Sequence, residues 1–282
     1  NPEVVFTGVW GDFLGKQNKQ PIVSNSITTM KLTPCLFFLF VFCVEIASAQ
    51  SKVSIQKSDK GYQLSVEGKP FYVKGFVGGN PSYSPDFMAG KQFAIAQKSG
   101  ANAVRTSAVR ASLDSAAKYG FKALADLPIY GERDGMDWND EARKAEVKAK
   151  VLGIVTDLKN HPALLVWALG NELDWIPPGK PYNPKLWTFF NDLAKEIHRI
   201  DPRHPVMTIV GFSDVPKKLD ELAAQCPDLD LLGINAYADL AEFSEAVIKH
   251  WRRPYMVTEW GPDGHWEVPK TTFKVALEQS ST

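Results

Sequence analysis

The sequence predicts an α/β protein of the (β/α)8, or TIM, barrel class, cut short after its seventh strand. Three observations carry this reading. From residue 71 onward, strand signals alternate with helix signals, the pattern of parallel βαβ units with right-handed crossovers. The strand segments are nearly unbroken apolar runs, as a sheet covered on both faces requires. The rival architecture, a doubly wound sheet, would carry a Gly-rich phosphate turn after its first strand. Here Gly78-Gly79-Asn80-Pro81 follows instead, which lacks that fingerprint.

Residues 71–76 (FYVKGF) read as the first strand, and helical spacing over 87–99 stops at Gly100. Residues 103–106 form the second strand, followed by a helix over 111–119 that stops at Gly120. The third strand, 121–129 (FKALADLPI), runs into a loop containing Trp138. Asn139-Asp140 is a capping pair for a long charged helix reaching residue 160. Strand four covers 164–169, an amphipathic helix 184–200, strand five 206–210, and a short helix 219–224. Strand six covers 229–234, a helix 240–250, strand seven 255–258, and a further helix begins over 271–279. Residues 71–282 fall short of the ~250 residues of a full barrel, so strand eight is expected to be missing. Residues 50–70 read as a short hairpin-like lead-in, with turns at Gly61 and Gly68.

The first Met is Met30. Lys31, the apolar run 36–44 (LFFLFVFCV) and Ala47-Ser48-Ala49 read as a signal peptide over 30–49, with cleavage before Gln50. That run is shorter than the about 20 apolar residues a membrane span needs. The expectation is a secreted or periplasmic protein, free of the membrane after cleavage, in which residues 1–29 are translated upstream sequence and not native protein.

Composition narrows the function further. Lys and Arg number 32, as do Asp and Glu, for a formal net charge of zero, so nothing favours nucleic acid or an anionic membrane as a partner. Cys35 and Cys43 fall in the signal segment, which leaves Cys226 without a disulfide partner and excludes a thiolate metal cluster. His161, His198, His204 and His250 lack ligand spacing, so neither a metal nor a cofactor is expected. The eight Trp and eight Tyr offer rings on which the C–H faces of a carbohydrate can stack.

Barrel chemistry sits where strands end. Strand two ends in Arg105, strand three near Asp126, strand four in Gly170-Asn171-Glu172, strand six in Asn235-Ala236-Tyr237, and strand seven in Glu259-Trp260-Gly261. Strands four and seven face each other across a barrel, so Glu172 and Glu259 form a carboxyl pair. Such a pair cleaves a glycosidic bond with retention: one carboxyl protonates the leaving oxygen and the other attacks the anomeric carbon. The pair needs unequal pKa values. Tyr237 by a hydrogen bond, and Arg105 by charge, are placed to keep Glu259 anionic. Asn171 is placed to bind a sugar 2-hydroxyl. Asp126, Trp138, Trp175, Trp260 and Trp266 fall at the same end and complete the candidate substrate-binding set.

The same segments resemble the clan A glycoside hydrolases, and most closely the catalytic barrel of family 2, with family 5 as the second likeness. The likeness runs from about residue 66 to 262. It includes Gly68-Lys69-Pro70-Phe71, Gly100-Ala101-Asn102-Ala103-Val104-Arg105-Thr106, His161-Pro162-Ala163 leading through Trp167 to Gly170-Asn171-Glu172, Asp201-Pro202-Arg203-His204-Pro205, and Thr258-Glu259-Trp260-Gly261. The resemblance implies a retaining hydrolase of a β-linked oligo- or polysaccharide, with Glu172 as acid/base and Glu259 as nucleophile. A transglycosylase using the same residues is the alternative, and a noncatalytic sugar-binding barrel a more distant one. The reading expects no sandwich domains before the barrel and no strand eight after it, both departures from the family 2 pattern.

Overall fold

The protein is described from a computed structural model, which covers residues 5–6, 52–59, 61–78, 91–176, 180–211, 213, 215–237 and 239–261. All of these belong to one unit assembled from Asn1–Val9 and Gln50–Thr282. The two-residue strand β1 (Val5–Phe6) comes first. Next, β2 (Val53–Ser58), β3 (Gly61–Val66) and β4 (Lys69–Pro70) make an antiparallel sheet in that order. Strands and helices then alternate: β5 (Lys74–Val77), α1 (Lys91–Lys98), β6 (Ala103–Ser107), α2 (Arg110–Lys118), β7 (Lys122–Leu127) and α3 (Glu141–Leu158). They continue as β8 (Leu164–Leu169), α4 (Lys185–Ile200), β9 (Val206–Gly211), α5 (Lys217–Gln225), β10 (Leu231–Tyr237), α6 (Leu240–Ala246) and β11 (Tyr255–Gly261). The helix predicted over 271–279 lies outside the described residues.

Strands β5 to β11 pair in sequence order, every pair parallel, which is the expected TIM-barrel arrangement. β1 lies between β11 and β5, parallel to both, with Val5 opposite Val257 and Lys74, and Phe6 opposite Gly75. The sequence predicts that residues 1–29 are translated upstream sequence and not native protein. Two of them nonetheless occupy the place beside β11 where a barrel runs its last strand. The physical reason is an edge on either side: unpaired N–H and C=O groups accept any extended segment, and their demand is independent of where that segment lies in the chain.

Local signals explain the elements. The runs of β8 (LLVWAL) and β9 (VMTIVG) are buried at every position, as strands lying between a filled barrel and a helix layer must be. The Asp140 side chain accepts the Arg143 backbone N–H (2.9 Å) and caps α3. α4 buries Leu186, Phe189, Phe190, Leu193, Ala194 and Ile197 on one face, the stripe of an amphipathic helix. Cys226 is buried, and burial pushes its thiol up to about 12, so it is an inert packing residue.

The barrel interior is filled by Ala103, Leu124, Leu165, Met207, Ile209, Leu231 and Met256, and the same cluster takes in Val53 and Leu64 of the small sheet. That sheet closes the barrel floor, where the Val53 backbone N–H donates to the Arg203 carbonyl (2.9 Å) in the turn before β9. On this side the Asp201-Pro202-Arg203-His204 segment does structural work. Asp201 accepts from Trp167 Nε1 (2.9 Å) and meets His204 Nδ1 (2.8 Å). With one end sealed, the C-terminal ends of the strands are the face left open for chemistry.

Deletion of residues 1–9 removes β1 and unpairs the edges of β11 and β5. The truncated chain should show a lower thermal midpoint and more aggregation than the full chain in a paired melt and light-scattering comparison. An unchanged midpoint would show that β1 adds nothing to the barrel.

Candidate active site

Arg105 is the hub of the open end. It lies on β6, its side chain only 3% exposed, and its planar fork reaches three neighbours. Nε donates to both carboxylate oxygens of Asp126 (3.1 and 3.0 Å), Nη1 to Glu259 Oε1 (2.6 Å), and Nη2 to Asn171 Oδ1 (2.7 Å). Burial opposes the Arg105 charge, but Asp126 and Glu259 more than offset it and leave its pKa above the ordinary value. Asp126, expected at the site, is there as the brace behind Arg105.

Glu259 receives a second donor. The Tyr237 hydroxyl donates to Oε2 (2.5 Å), so each carboxylate oxygen has its own partner. Burial, and then the negative charge of Glu259, push the Tyr237 phenol well above its ordinary range, so the hydroxyl stays a donor. A bulge sets this geometry. Ile234 pairs with Val257 but Asn235 pairs with Glu259, which leaves Thr258 as the extra residue. Thr258 Oγ1 fastens the bulge, its single proton shared between the Ile234 carbonyl (3.0 Å) and Asn235 Oδ1 (2.8 Å).

Glu172 follows β8 on a turn that glycine makes possible. Gly170 has φ +71°, and a Cβ there would stand 2.6 Å from Leu173 Cδ1. Glu172 itself has φ +49°, a left-handed conformation that a Glu adopts only when its surroundings impose it, at a cost of about 1–3 kcal/mol. Its backbone N–H donates to the Ile209 carbonyl (2.9 Å). Its side chain accepts from Asn235 Nδ2 (2.8 Å), which also donates to Asn171 Oδ1 (3.0 Å). Burial raises the Glu172 pKa above the usual carboxylate range, and the negative charges of Glu259 and Asp174 add to it, against the Asn235 hydrogen bond and Arg133. The carboxyl is thus biased toward its protonated form. Asn171 Oδ1 accepts from Arg105 and Asn235, and these bonds do not use its amide nitrogen.

The aromatic candidates separate. Trp138 is 0% exposed and packs on Phe189 and Phe190, with ring centroids 5.3 and 6.3 Å away. It belongs to the core and not, as its place in a loop predicts, to the site; a Trp in a loop is not thereby exposed. Trp260 alternates with Glu259 along β11, so it points away from the site and packs on the helix-side core. Trp175 remains a site-rim residue: it is 47% exposed, with the Arg133 guanidinium 5.6 Å above its ring. Arg133 also donates to the Asn171 carbonyl (3.0 Å). Trp266 lies outside the described residues. Sequence reasoning missed Asn235 and Arg133. Asn235 was within reach, because it lies two residues before Tyr237 and so on the same strand face. Among the described residues no group of His, Cys, Asp and Glu is arranged to hold a metal ion, and no helix is long and apolar enough to cross a membrane.

The raised Glu172 pKa has a consequence for stability. A carboxyl whose pKa is higher in the fold than in the unfolded chain stabilises the fold most when protonated. That contribution is lost as pH rises through the folded value. Glu172→Gln should therefore melt higher than the parent at pH 7, and the difference should shrink as pH falls into the ordinary carboxylate range. A gain independent of pH would rule out burial of the ionised form as its cause.

The family described as "Glycosyl hydrolases family 2, TIM barrel domain" matches residues 59–267. A β-glucuronidase of Paenibacillus borealis is 26% identical over 250 residues, covering 76% of this chain and 39% of its own length. A β-glucuronidase of Sus scrofa is 26% identical over 239 residues, covering 75% and 34%. The chain thus spans well under half the length of these curated relatives. Among solved structures, Bifidobacterium dentium β-glucuronidase complexed with coumarin-3-O-glucuronide aligns with a TM-score of 0.61 at 19% identity, over 82% of this chain and 39% of that one. A family 2 β-galacturonidase from Eisenbergiella tayi bound to galacturonate aligns with a TM-score of 0.58 at 17% identity, over 82% and 43%. At such identities the likeness speaks for the shared fold, while the family match covers well over half of the chain. This chain belongs to glycosyl hydrolases family 2, of which it carries the TIM barrel domain.

Proposed function

We propose that this barrel is the catalytic domain of a secreted retaining glycosidase acting on β-linked oligo- or polysaccharides, with a uronic acid as the sugar whose bond is cut. One observation carries the mechanism: the two carboxyls are treated oppositely. Glu259 meets a donor at each oxygen, from Arg105 (2.6 Å) and Tyr237 (2.5 Å), whereas Glu172 is buried against its own ionisation. The uronic acid rests on the relatives, which bear the names β-glucuronidase and β-galacturonidase.

In the first step a Glu259 oxygen bonds to the anomeric carbon while the glycosidic C–O bond breaks. The Glu172 proton goes to the leaving oxygen. In the second step Glu172, now ionised, takes a proton from water. The water oxygen bonds to the anomeric carbon and releases Glu259, so two inversions give net retention. Asn171, whose amide nitrogen is not used in the bonds to Arg105 and Asn235, binds the 2-hydroxyl, a contact that strengthens in the transition state.

The two carboxyls should fail differently. Glu259→Ala should abolish turnover of every substrate, and added azide should partly restore it with a product of inverted configuration. Glu172→Ala should spare activated aryl glycosides and release a β-glycosyl azide, while substrates with poor leaving groups lose ~10²–10⁴-fold. Product configuration by NMR decides; the opposite pairing of mutant and product would swap the roles. In the parent enzyme an aryl β-glucuronide should have a higher kcat/KM than the corresponding β-glucoside, and the reverse order would remove the uronic acid from the proposal.

Export rests on residues 30–49. N-terminal sequencing of secreted protein should begin at Gln50, which would separate Val5–Phe6 from the barrel. A secreted chain beginning at Asn1 would contradict cleavage there and keep β1 attached.

A further inference from the structure

Beneath Glu172 lies a buried ion pair whose cation the mechanism above does not use. Lys218, in the first turn of α5, is 0% exposed at its side chain, and Asp174, two residues after Glu172, is 1% exposed. Lys218 Nζ donates to Asp174 Oδ2 (2.5 Å), to the Gly211 carbonyl (2.7 Å) and to Ser213 Oγ (3.1 Å), which uses all three of its donors. Gly211 ends β9 and forms the wall on which the Glu172 carboxyl rests: a Cβ at Gly211 would stand 3.3 Å from Glu172 Cδ and Oε1. One ammonium group therefore ties the loop that carries Glu172 to the strand end against which Glu172 lies. The tie is a second fastening of that loop to β9, after the bond from the Glu172 N–H to the Ile209 carbonyl (2.9 Å).

We propose that Lys218 is a positioning residue for the acid/base, holding Glu172 against β9 by clamping Asp174 to Gly211. The proposal rests on the reading of Glu172 as acid/base. A pair of this kind is a poor source of stability, since a buried ion pair replaced by apolar residues of similar volume often leaves a protein as stable as before. Here it stands under a residue whose backbone is held in the left-handed region, φ +49°, where the native conformation must be imposed from outside. Small displacements of a catalytic group cost much rate: a shift of about 1 Å can lose 10²-fold. A slack Glu172 would transfer its proton poorly while the Glu259 attack, braced separately by Arg105 and Tyr237, went on.

The groups that face Glu172 are Asn235 from β10, Glu259 from β11, Arg133 from the loop after β7, and Asp174 from its own loop. Removing Lys218 alone leaves the Asp174 charge without its partner and invites misfolding. The informative variant therefore changes both members to neutral residues, Lys218→Met with Asp174→Asn, made in the full chain. Its kcat/KM is measured on an aryl β-glycoside with an acidic phenol as leaving group and on a matched alkyl β-glycoside, beside the parent and Glu172→Ala.

The expected result is a folded double variant whose aryl activity stays within about threefold of the parent. Its alkyl activity, compared at each protein's own pH optimum so that loss of the Asp174 charge beside Glu172 is not what is read, should fall by ~10–10²-fold, short of the ~10²–10⁴-fold lost with the general acid itself. An equal fall on both substrates, no fall on either, or a double variant that does not fold would each overturn the proposal and make the pair a structural element. Failure of the underlying reading looks different: Glu172→Ala itself would then show no dependence on the leaving group, whatever the double variant does.

Discussion

Arg105 keeps a positive charge where water scarcely reaches, and the open end of the barrel is arranged around that fact. A buried guanidinium is costly unless its donors are matched by acceptors. Its fork is matched on three sides, by Asp126, Glu259 and Asn171. These residues come from β7, β11 and the turn after β8, so one cation fixes the relative positions of three strand ends. A lysine would not serve, because a point charge on a flexible stem cannot orient three planar partners at once. Loss of the guanidinium would strand two carboxylates, and breaking a buried pair in this way costs about 3–5 kcal/mol.

From that anchor the site divides into a fixed half and a tuned half. Glu259 is held at both oxygens by donors that are themselves hard to deprotonate. Glu172 is held by one amide, sits on a strained turn, and is pressed toward protonation by burial. Asn235 belongs to both halves: its amide nitrogen bridges Asn171 and Glu172, while its oxygen accepts from Thr258 in the bulge that aims Glu259. The bulge thereby couples the placing of the two carboxyls, and a shift in one strand would be felt at the other. Double displacement needs one carboxyl held protonated and one ionised, and the proposed division of roles follows the unequal surroundings of the two, with burial raising the pKa of Glu172.

Much of this was legible in the chain. β8 and β9 announced themselves as apolar runs, Asp140 as a cap, and Glu172 and Glu259 as carboxylates at the ends of alternating strands. Asn235 needed only the two-residue period of a strand. Other features were hidden for reasons that can be named. Thr258 reads as an ordinary strand residue, because a bulge depends on the register of the neighbouring strand. Lys218 and Asp174 are far apart in sequence, and a charged residue near a helix start reads as solvated. Trp138 sits in a loop by sequence and in the core by packing against α4. β1 pairs by its backbone, which leaves little trace in side-chain pattern.

The central claim is that Glu259 bonds to the sugar during turnover. Incubation with a 2-deoxy-2-fluoro β-glycosyl fluoride slows both steps but slows release more, so the covalent species accumulates. Peptide mass spectrometry should then find one fluorosugar on the peptide containing Glu259, with loss of activity in step with labelling. A label on a different residue, or full turnover with an inverted product and no label, would contradict the account.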